Sequence, residues 1–580
     1  FADSAKAVQF LAGIYQSIQI SANVNRFGNG GLDAASDEGQ QGTPNASNAT
    51  SWAIGTINAA TVETNIYNTC YNKIRAVNIF LKNIDKTKLT LGPTAPNSRE
   101  QMKGEARFLR AWYYAMLLKH YGGVPLVGDT TYSYDSQIPY SRSTYDQCVK
   151  YILSELDAAG LILQSQGITQ TGRQYGRASY GACLALKSRV LLYAASPLFN
   201  EGSLPAGETP ISLASDVNVK ALLGYPTGVG TQAQRWVDAR DAALAVINTG
   251  AYALWVKTST NPVRPGLGFR DLFCQRGDQT KEYILQWMLT PGQWGLHLER
   301  YWMPPTRGGS DGAFPYQELV DAFPMRDGKQ PGDPTSAYPY NPQRPYTNRD
   351  PRLDYTVVRD STVLLERLKV GQRSAVDLSV EKLPSGQYVG QTIDAVFKGT
   401  STGYYVYKMI DTNATSTDAQ NGTNRCQSLM RYAEILLNYA EAENEVNGPG
   451  ASASAPNTAS VYGALKALRD RAGILPGTDN LYGLKDGMTK DEMRKAIQLE
   501  RRLELAFEEH RFWDVRRWKI APQELRKLFH GMMHRKIGAT KVFETFEVNP
   551  AHTFETRMYL WPIPQAEIGK AKSMVQNPGY

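Results

Sequence analysis

Residues 99–127, REQMKGEARFLRAWYYAMLLKHYGGVPLV, repeat their apolar positions at the pitch of an α-helix. Phe108, Leu109, Trp112, Ala115, Met116 and Lys119 follow i, i+3, i+4 spacing, and Gly122-Gly123 followed by Pro125 marks the stop. The same pattern predicts helices near 60–84, 143–163, 178–195, 232–248, 427–446, 460–473 and 489–519. Alanine stands where two helices would approach closely, as at Ala106, Ala111, Ala115, Ala440 and Ala442. These features describe stacked helix pairs, although no clean 34-residue period survives. The middle of the chain breaks the pattern. Residues 262–351 hold 13 of the 31 prolines, and Pro304-Pro305 with Gly308-Gly309 exclude a long helix from YWMPPTRGGSDGAFPY (301–316). Its aromatic content argues for an ordered loop region. Short strands are expected at 282–288 and 403–409.

Composition is that of an ordinary globular protein, with 42% hydrophobic and 20% charged residues. A net charge of +8 on 63 basic and 55 acidic residues is too balanced to imply a nucleic-acid partner. The excess gathers in 485–541, where 15 Lys/Arg face nine Asp/Glu, and this window reads as a solvated basic face. Cys70, Cys148, Cys183, Cys274 and Cys426 are scattered and odd in number, so they read as buried apolar residues. No apolar run approaches the ~18 residues of a membrane span. A start at Phe1 suggests a processed N-terminus, with targeting information upstream.

The common catalytic motifs are absent: there is no GxxxxGK[ST], HExxH, GxSxG or EF-hand loop. His530 and His534 in FHGMMHRK would share one face of a helix, but no third metal ligand is identifiable, and they read as surface histidines. The turn RDGKQPGDP (326–334) lacks the alternating acids of a calcium loop. Neither a metal nor a cofactor is expected. The densest charge lies in LERRLELAFEEHRFWDVRRWK (499–519). Leu499, Leu503, Ala506, His510 and Trp513 form one stripe of a single helix, flanked by Leu505, Phe507, Phe512 and Val515. Spacings of three join Arg501 to Glu504 and Glu508 to Arg511, which suits intrahelical ion pairs. A glycosidase needs two carboxylates ~5–9.5 Å apart across an open cleft. Carboxylates so surrounded by apolar residues would rather meet arginines of neighbouring helices, so the segment reads as a helix that locks others together.

ERRLELAFEEHRFWDVRRWK resembles the signature helix of the SusD/RagB family of nutrient-uptake proteins. The likeness continues through YNKIRAVNIFLKNI (71–84), KGEARFLRAWYYAMLLKHYGGVPLV (103–127), YQELVDAFPMRDGK (316–329), RDPRLDYTV (349–357), RYAEILLNYAEAENE (431–445) and YLWPIPQAEIGKAKSMVQNPGY (559–580), in the family's order. The resemblance implies a mainly α protein with a tetratricopeptide-like helix-pair scaffold and a loop-rich ligand-binding portion containing short β stretches. It implies one SusD-like domain over 1–580, with the scaffold mainly in 1–260 and 425–530, the loop-rich portion at about 261–424 and a C-terminal block at 531–580. It also implies a non-catalytic lipoprotein on the cell-surface side of the outer membrane, held by an N-terminal lipid anchor. Such a protein captures an oligo- or polysaccharide and hands it to a SusC-like TonB-dependent transporter. The family's RagB branch, which captures oligopeptides, is the alternative. Family sites draw on a loop near the N-terminus and on the region after the central strand, which here offer Trp52, Trp294, Tyr301, Trp302, Arg307 and Asp311. Flat aromatic faces with polar side chains at their edges suit sugar rings.

Overall fold

The computed structural model describes residues 3–21, 30–42, 48–89, 91–92, 95–133, 135–136, 138–170, 172–257, 264–274, 280–288, 301–310, 312–366, 372–410, 426–452 and 457–580. The main helices are α1 (Ser4–Tyr15), α2 (Asn65–Asn83), α3 (Arg99–Tyr121), α4 (Tyr145–Leu163), α5 (Tyr180–Ala195), α6 (Gln232–Asn248), α7 (Tyr432–Asn447), α8 (Val461–Ala472), α9 (Lys490–Glu504) and α10 (Arg511–Arg517). Each packs on its predecessor from α2 to α7, and α7 carries both α8 and α9. Local sequence explains where they start. Ser98, Ser179, Thr231 and Ser460 accept from the backbone N–H three residues on, and Thr144 and Thr489 form complete capping boxes with Gln147 and Glu492. Small residues set the spacing between them. A Cβ on Gly104 of α3 would lie 2.9 Å from Leu163 of α4. Helix α3 ends at Gly122 (φ +77°), and Gly123 is pressed so close to Ser143 that no side chain fits. Among the described residues no helix is long and apolar enough to cross a membrane.

The strands are short. They are β1 (Ala35–Ser36), β2 (Gly39–Gln41), β3 (Tyr283–Met288), β4 (Ala313–Pro315), β5 (Val357–Val358), β6 (Val363–Leu365), β7 (Arg373–Ala375), β8 (Ser379–Lys382), β9 (Tyr388–Gly390), β10 (Tyr405–Val406), β11 (Cys426–Arg431), β12 (Phe529–Ile537) and β13 (Thr540–Val548). They form sheets ordered β1-β2-β4 and β13-β12-β8-β9, with two-stranded ribbons β3/β11, β5/β10 and β6/β7. The strand expected at 282–288 is β3, whereas 403–409 contributes only the two residues of β10. One hydrophobic cluster runs from Ala7 in α1 to Met574 near the C-terminus and includes residues of the proline-rich middle, so loops and scaffold share a core. None of the five cysteines is in a disulfide, and every one except the partly covered Cys274 is buried.

Two local expectations are corrected. His530 and His534 lie on β12, not on a helix, because residues 529–548 fold as a hairpin turning at Gly538 (φ +57°). Its second strand, TKVFETFEV, is rich in β-branched and aromatic residues. His530 Nδ1 bonds the Glu318 carboxylate at 2.7 Å, and the buried His534 bonds Tyr346 Oη at 3.0 Å. The second correction concerns 489–519, which is not one helix. Helix α9 ends at Glu504, the chain turns through Phe507 (φ 56°) and Glu509 (φ 62°), and α10 starts at Arg511. The apolar stripe expected across 499–513 is therefore interrupted.

Candidate functional site: a charged hub and a loop surface

The turn between α9 and α10 redirects every charge in the segment. Glu508 does not pair with Arg511, nor Glu504 with Arg501. Arg511 makes a two-pronged contact with Asp37, both bonds at 2.8 Å, and Arg502 reaches the same carboxylate at 2.9 Å. Glu38 accepts from the Phe507 N–H at 3.0 Å, and Asp33 from the Glu509 N–H at 3.1 Å. This fastens residues 33–38 to the turn. Arg501 binds Asp514 at 2.7 Å and Asn438 of α7 at 2.8 Å, while Arg517 binds Glu441 of α7 at 2.7 Å. Glu504 and Glu508 face the third direction. Arg431 donates to Glu504 at 2.7 Å, to Glu508 at 2.7 Å and to Glu282 at 2.8 Å. Arg471 also binds Glu282 and Glu504, and Arg352 joins Asp350, Glu500 and Glu504. Lys408 Nζ donates to the carbonyls of Glu504 and Ala506 and to Glu508.

Within the window 485–541 the hub's Arg501, Arg511, Arg516 and Arg517 are buried rather than solvated, whereas Lys485, Lys490, Lys495, Arg526 and Lys536 are exposed. Arg511 and Arg517 meet acids supplied from other parts of the chain. Burial alone would raise the Glu504 carboxyl, but Arg471, Arg431, Arg352 and Lys408 outweigh it and hold the pKa far below the ordinary carboxylate value. Glu38 goes the other way: burial, with the charge of Asp37 adding to it, pushes it up to about 7. A cavity beside the hub, lined by Arg189, Arg431, Glu434, Glu508 and His510, has a volume of about 40 Å³. That admits water and excludes a sugar ring. The hub is a structural lock.

The loop surface is built around β1-β2-β4. Gln41 of β2 pairs with Ala313 of β4, and the Gly42 N–H donates to the Gly312 carbonyl at 2.7 Å. Residues 39–42, which precede the expected N-terminal stretch around Trp52, therefore pair with 312–315, at the end of the expected stretch after the central strand. The described aromatics at this junction turn inward to differing degrees. Trp52 is 1% exposed, with ring centroids 5.7 Å from Phe512 and 5.0 Å from Trp561. Trp302 is also 1% exposed and lies 6.0 Å from Phe507. Arg307 is buried and donates to Ser374 Oγ at 2.7 Å. In this conformation none of the three offers a surface to a ligand, which corrects their assignment. Trp52 and Trp302 face the aromatic side chains of Phe512, Trp561 and Phe507, and Arg307 turns toward Ser374. Tyr301 is half-buried at the surface, and Trp294 and Asp311 lie outside the described residues. Sequence reading passed over Trp287, the partly exposed residue near the end of β3, beyond which segment 289–300 begins. Its position at the end of a predicted strand was the available signal.

Residues 303–309 follow a tight, internally hydrogen-bonded course. The N–H groups of Arg307 and Gly309 both donate to the Pro304 carbonyl, at 2.8 and 3.1 Å. A Cβ on Gly309 would stand 1.6 Å from the Met303 carbonyl oxygen. Asp394 clamps the loop by accepting from Thr306 N–H at 2.7 Å and from the Thr306 hydroxyl.

The molecule is thus a stacked-helix scaffold locked by ion pairs, with loops gathered beside it. Residues 280–580 match the family model described as the SusD family, and residues 3–192 match one described as starch-binding associating with outer membrane. The chain belongs to the SusD family, whose members are non-catalytic binding proteins. SusD-like protein P2 of Formosa agariphila is 29% identical over 209 residues, 36% of this chain and 35% of that protein. SusD-like protein P25 of the same organism is 37% identical over 92 residues, 16% of this chain and 15% of that one. The chain thus aligns with about a third or less of the length of these curated relatives. Among solved structures, a SusD-like protein from Bacteroides fragilis superposes with a TM-score of 0.75 at 24% identity, covering 100% of this chain and 98% of that one. Surface glycan-binding protein A from Bacteroides thetaiotaomicron, in complex with laminarihexaose, gives 0.60 at 15% identity over 99% of both chains. These likenesses establish the fold.

Proposed function

We propose that this protein captures an oligo- or polysaccharide at the cell surface and passes it to a SusC-like TonB-dependent transporter in the outer membrane, to which an N-terminal lipid anchor holds it. Membership of the SusD family over residues 280–580 carries this reading. The chain is taken as one domain in which 261–424 is the ligand-binding portion. The proposed site is the surface around Tyr301 and Trp287, with Trp294 and Asp311 on the segments beside them. Aromatic faces stack on the C–H faces of sugars, and nearby polar side chains bond the hydroxyls.

The test is affinity electrophoresis of the purified chain against a polysaccharide panel, with a peptide library as control. Retardation by at least one glycan and no peptide capture is expected. Peptide capture without glycan binding would overturn the reading in favour of a RagB-like oligopeptide carrier. The transporter partnership predicts co-purification with a TonB-dependent barrel from native outer membranes. Recovery of the protein alone, under conditions that preserve comparable complexes, would contradict it.

A further inference from the structure

A second cleft, of about 430 Å³, opens between residues 252–256, the start of α7, the outer face of α8 and residues 480–482. Its volume is in the range of small-ligand sites and about ten times that of the hub cavity. Tyr252, Tyr432 and Tyr482 line it, together with Lys466, Asp470 and Asn480. The tyrosines are held in place. Tyr252 and Tyr432 stack with centroids 6.4 Å apart and planes 27° apart. Tyr252 donates to the Ile168 carbonyl at 3.2 Å, and Tyr482 donates to Asp470 Oδ1 at 2.9 Å. Tyr252 and Tyr432 are buried in the wall, and Tyr482 is the ring that reaches the surface.

Lys466 is 6% exposed: its stem is packed, its ammonium reaches the solvent of the cleft, and among the described residues no carboxylate pairs with it. Asp470 stands one turn further along α8 without an ion pair, its carboxylate engaged by Tyr482. Arg471, on the same wall, is consumed by Glu282 and Glu504. A cleft that presents one ammonium, one carboxylate and the Tyr482 ring offers donors, acceptors and an apolar face with no net charge. That set matches neighbouring hydroxyls on an uncharged sugar.

We propose that this cleft is a second saccharide-binding subsite, recognising an uncharged sugar unit through Tyr482, Lys466 and Asp470. The inference rests on the saccharide-binding reading above but uses different residues in a different place. The cleft is tied to the start of β3: Ala253 N–H donates to the Lys281 carbonyl, Trp255 N–H to the Glu282 carboxylate, and Tyr432 N–H to the Glu282 carbonyl. Segment 289–300 begins beyond the other end of the strand. Six strand residues separate the two ends by roughly 17–20 Å.

The test is acetylation footprinting of Lys466, read by peptide mass spectrometry. The intact chain is treated with and without neutral hexasaccharides of glucose, galactose, mannose and xylose in several linkages. The exposed Lys150 is the internal control. At least one oligosaccharide should protect Lys466 and spare Lys150. Tyr482→Ala, and the milder Asp470→Asn, should raise the concentration for half-protection about tenfold at an unchanged melting temperature. A Lys466 that never reacts, that no neutral sugar protects, or that stays protected equally well in Asp470→Asn would overturn the proposal. The same panel scored by affinity electrophoresis separates the two readings. A glycan that binds without protecting Lys466 removes this subsite alone, whereas no binding at all removes the glycan reading with it.

Discussion

Glu504 shows why the acids of 499–519 are structural. It sits among Arg352, Arg431, Arg471 and Lys408, all buried, and its removal would strand several cations without a counter-charge. Breaking a buried pair by deleting one partner costs about 3–5 kcal/mol. Glu504→Ala should lose at least that much in urea denaturation while ligand preference is retained. An unchanged denaturation midpoint with abolished binding would return this residue to the list of functional candidates. Glu38 carries a pH signature. Its folded pKa of about 7 lies above the ordinary 4.5, so the folded state holds a proton that the unfolded state releases. Stability is therefore fully present below about pH 4.5 and declines as pH rises to about 7. Glu38→Gln should flatten the fall in melting temperature between pH 5 and pH 8, and an unaltered fall would contradict the assignment. At this scale the sequence was half legible. That the charges would be buried followed from the apolar arc around them. Their partners did not, because Asp37, Arg352, Arg431 and Arg471 come from distant stretches and no local spacing encodes those meetings.

Elements were read best where one period dominates. Helices α3 to α6 combine 3.6-residue periodicity with clear caps, and their predicted spans agree with the structure to within a few residues. The break after Glu504 was invisible because Phe507 and Glu509 are not residues that announce a positive φ. The β12-β13 hairpin was missed at His530 and His534, since an i, i+4 pair shares a face on a strand as well as on a helix. Loop 301–312 offers an element-scale test. Its course requires Gly309, where the Met303 carbonyl leaves no room for a Cβ. Gly309→Ala should destabilise the protein by about 1–3 kcal/mol, as overpacking does, and weaken glycan binding by displacing Tyr301. A native melt with native affinity would show that the loop is less constrained than its geometry implies.

At the scale of the whole molecule, the account separates a scaffold that holds shape from loops that meet the ligand. The pairing of residues 39–42 with 312–315 was not foreseen, because three-residue strands paired across the chain leave no local signal. Which aromatics would face outward was not legible, because Trp, Tyr and Phe are equally at home in a core, and Trp52 and Trp302 went there. Trp294 and Tyr301 remain the proposed platform. Each stacked aromatic contributes about 0.5–1.5 kcal/mol beyond its burial, and ~1.4 kcal/mol is a factor of ten in affinity. The decisive measurement is calorimetric titration of Trp294→Ala/Tyr301→Ala with the glycan that the panel selects, alongside its melting curve. The account predicts at least tenfold weaker binding with a native-like melt; full affinity in the double variant would contradict it.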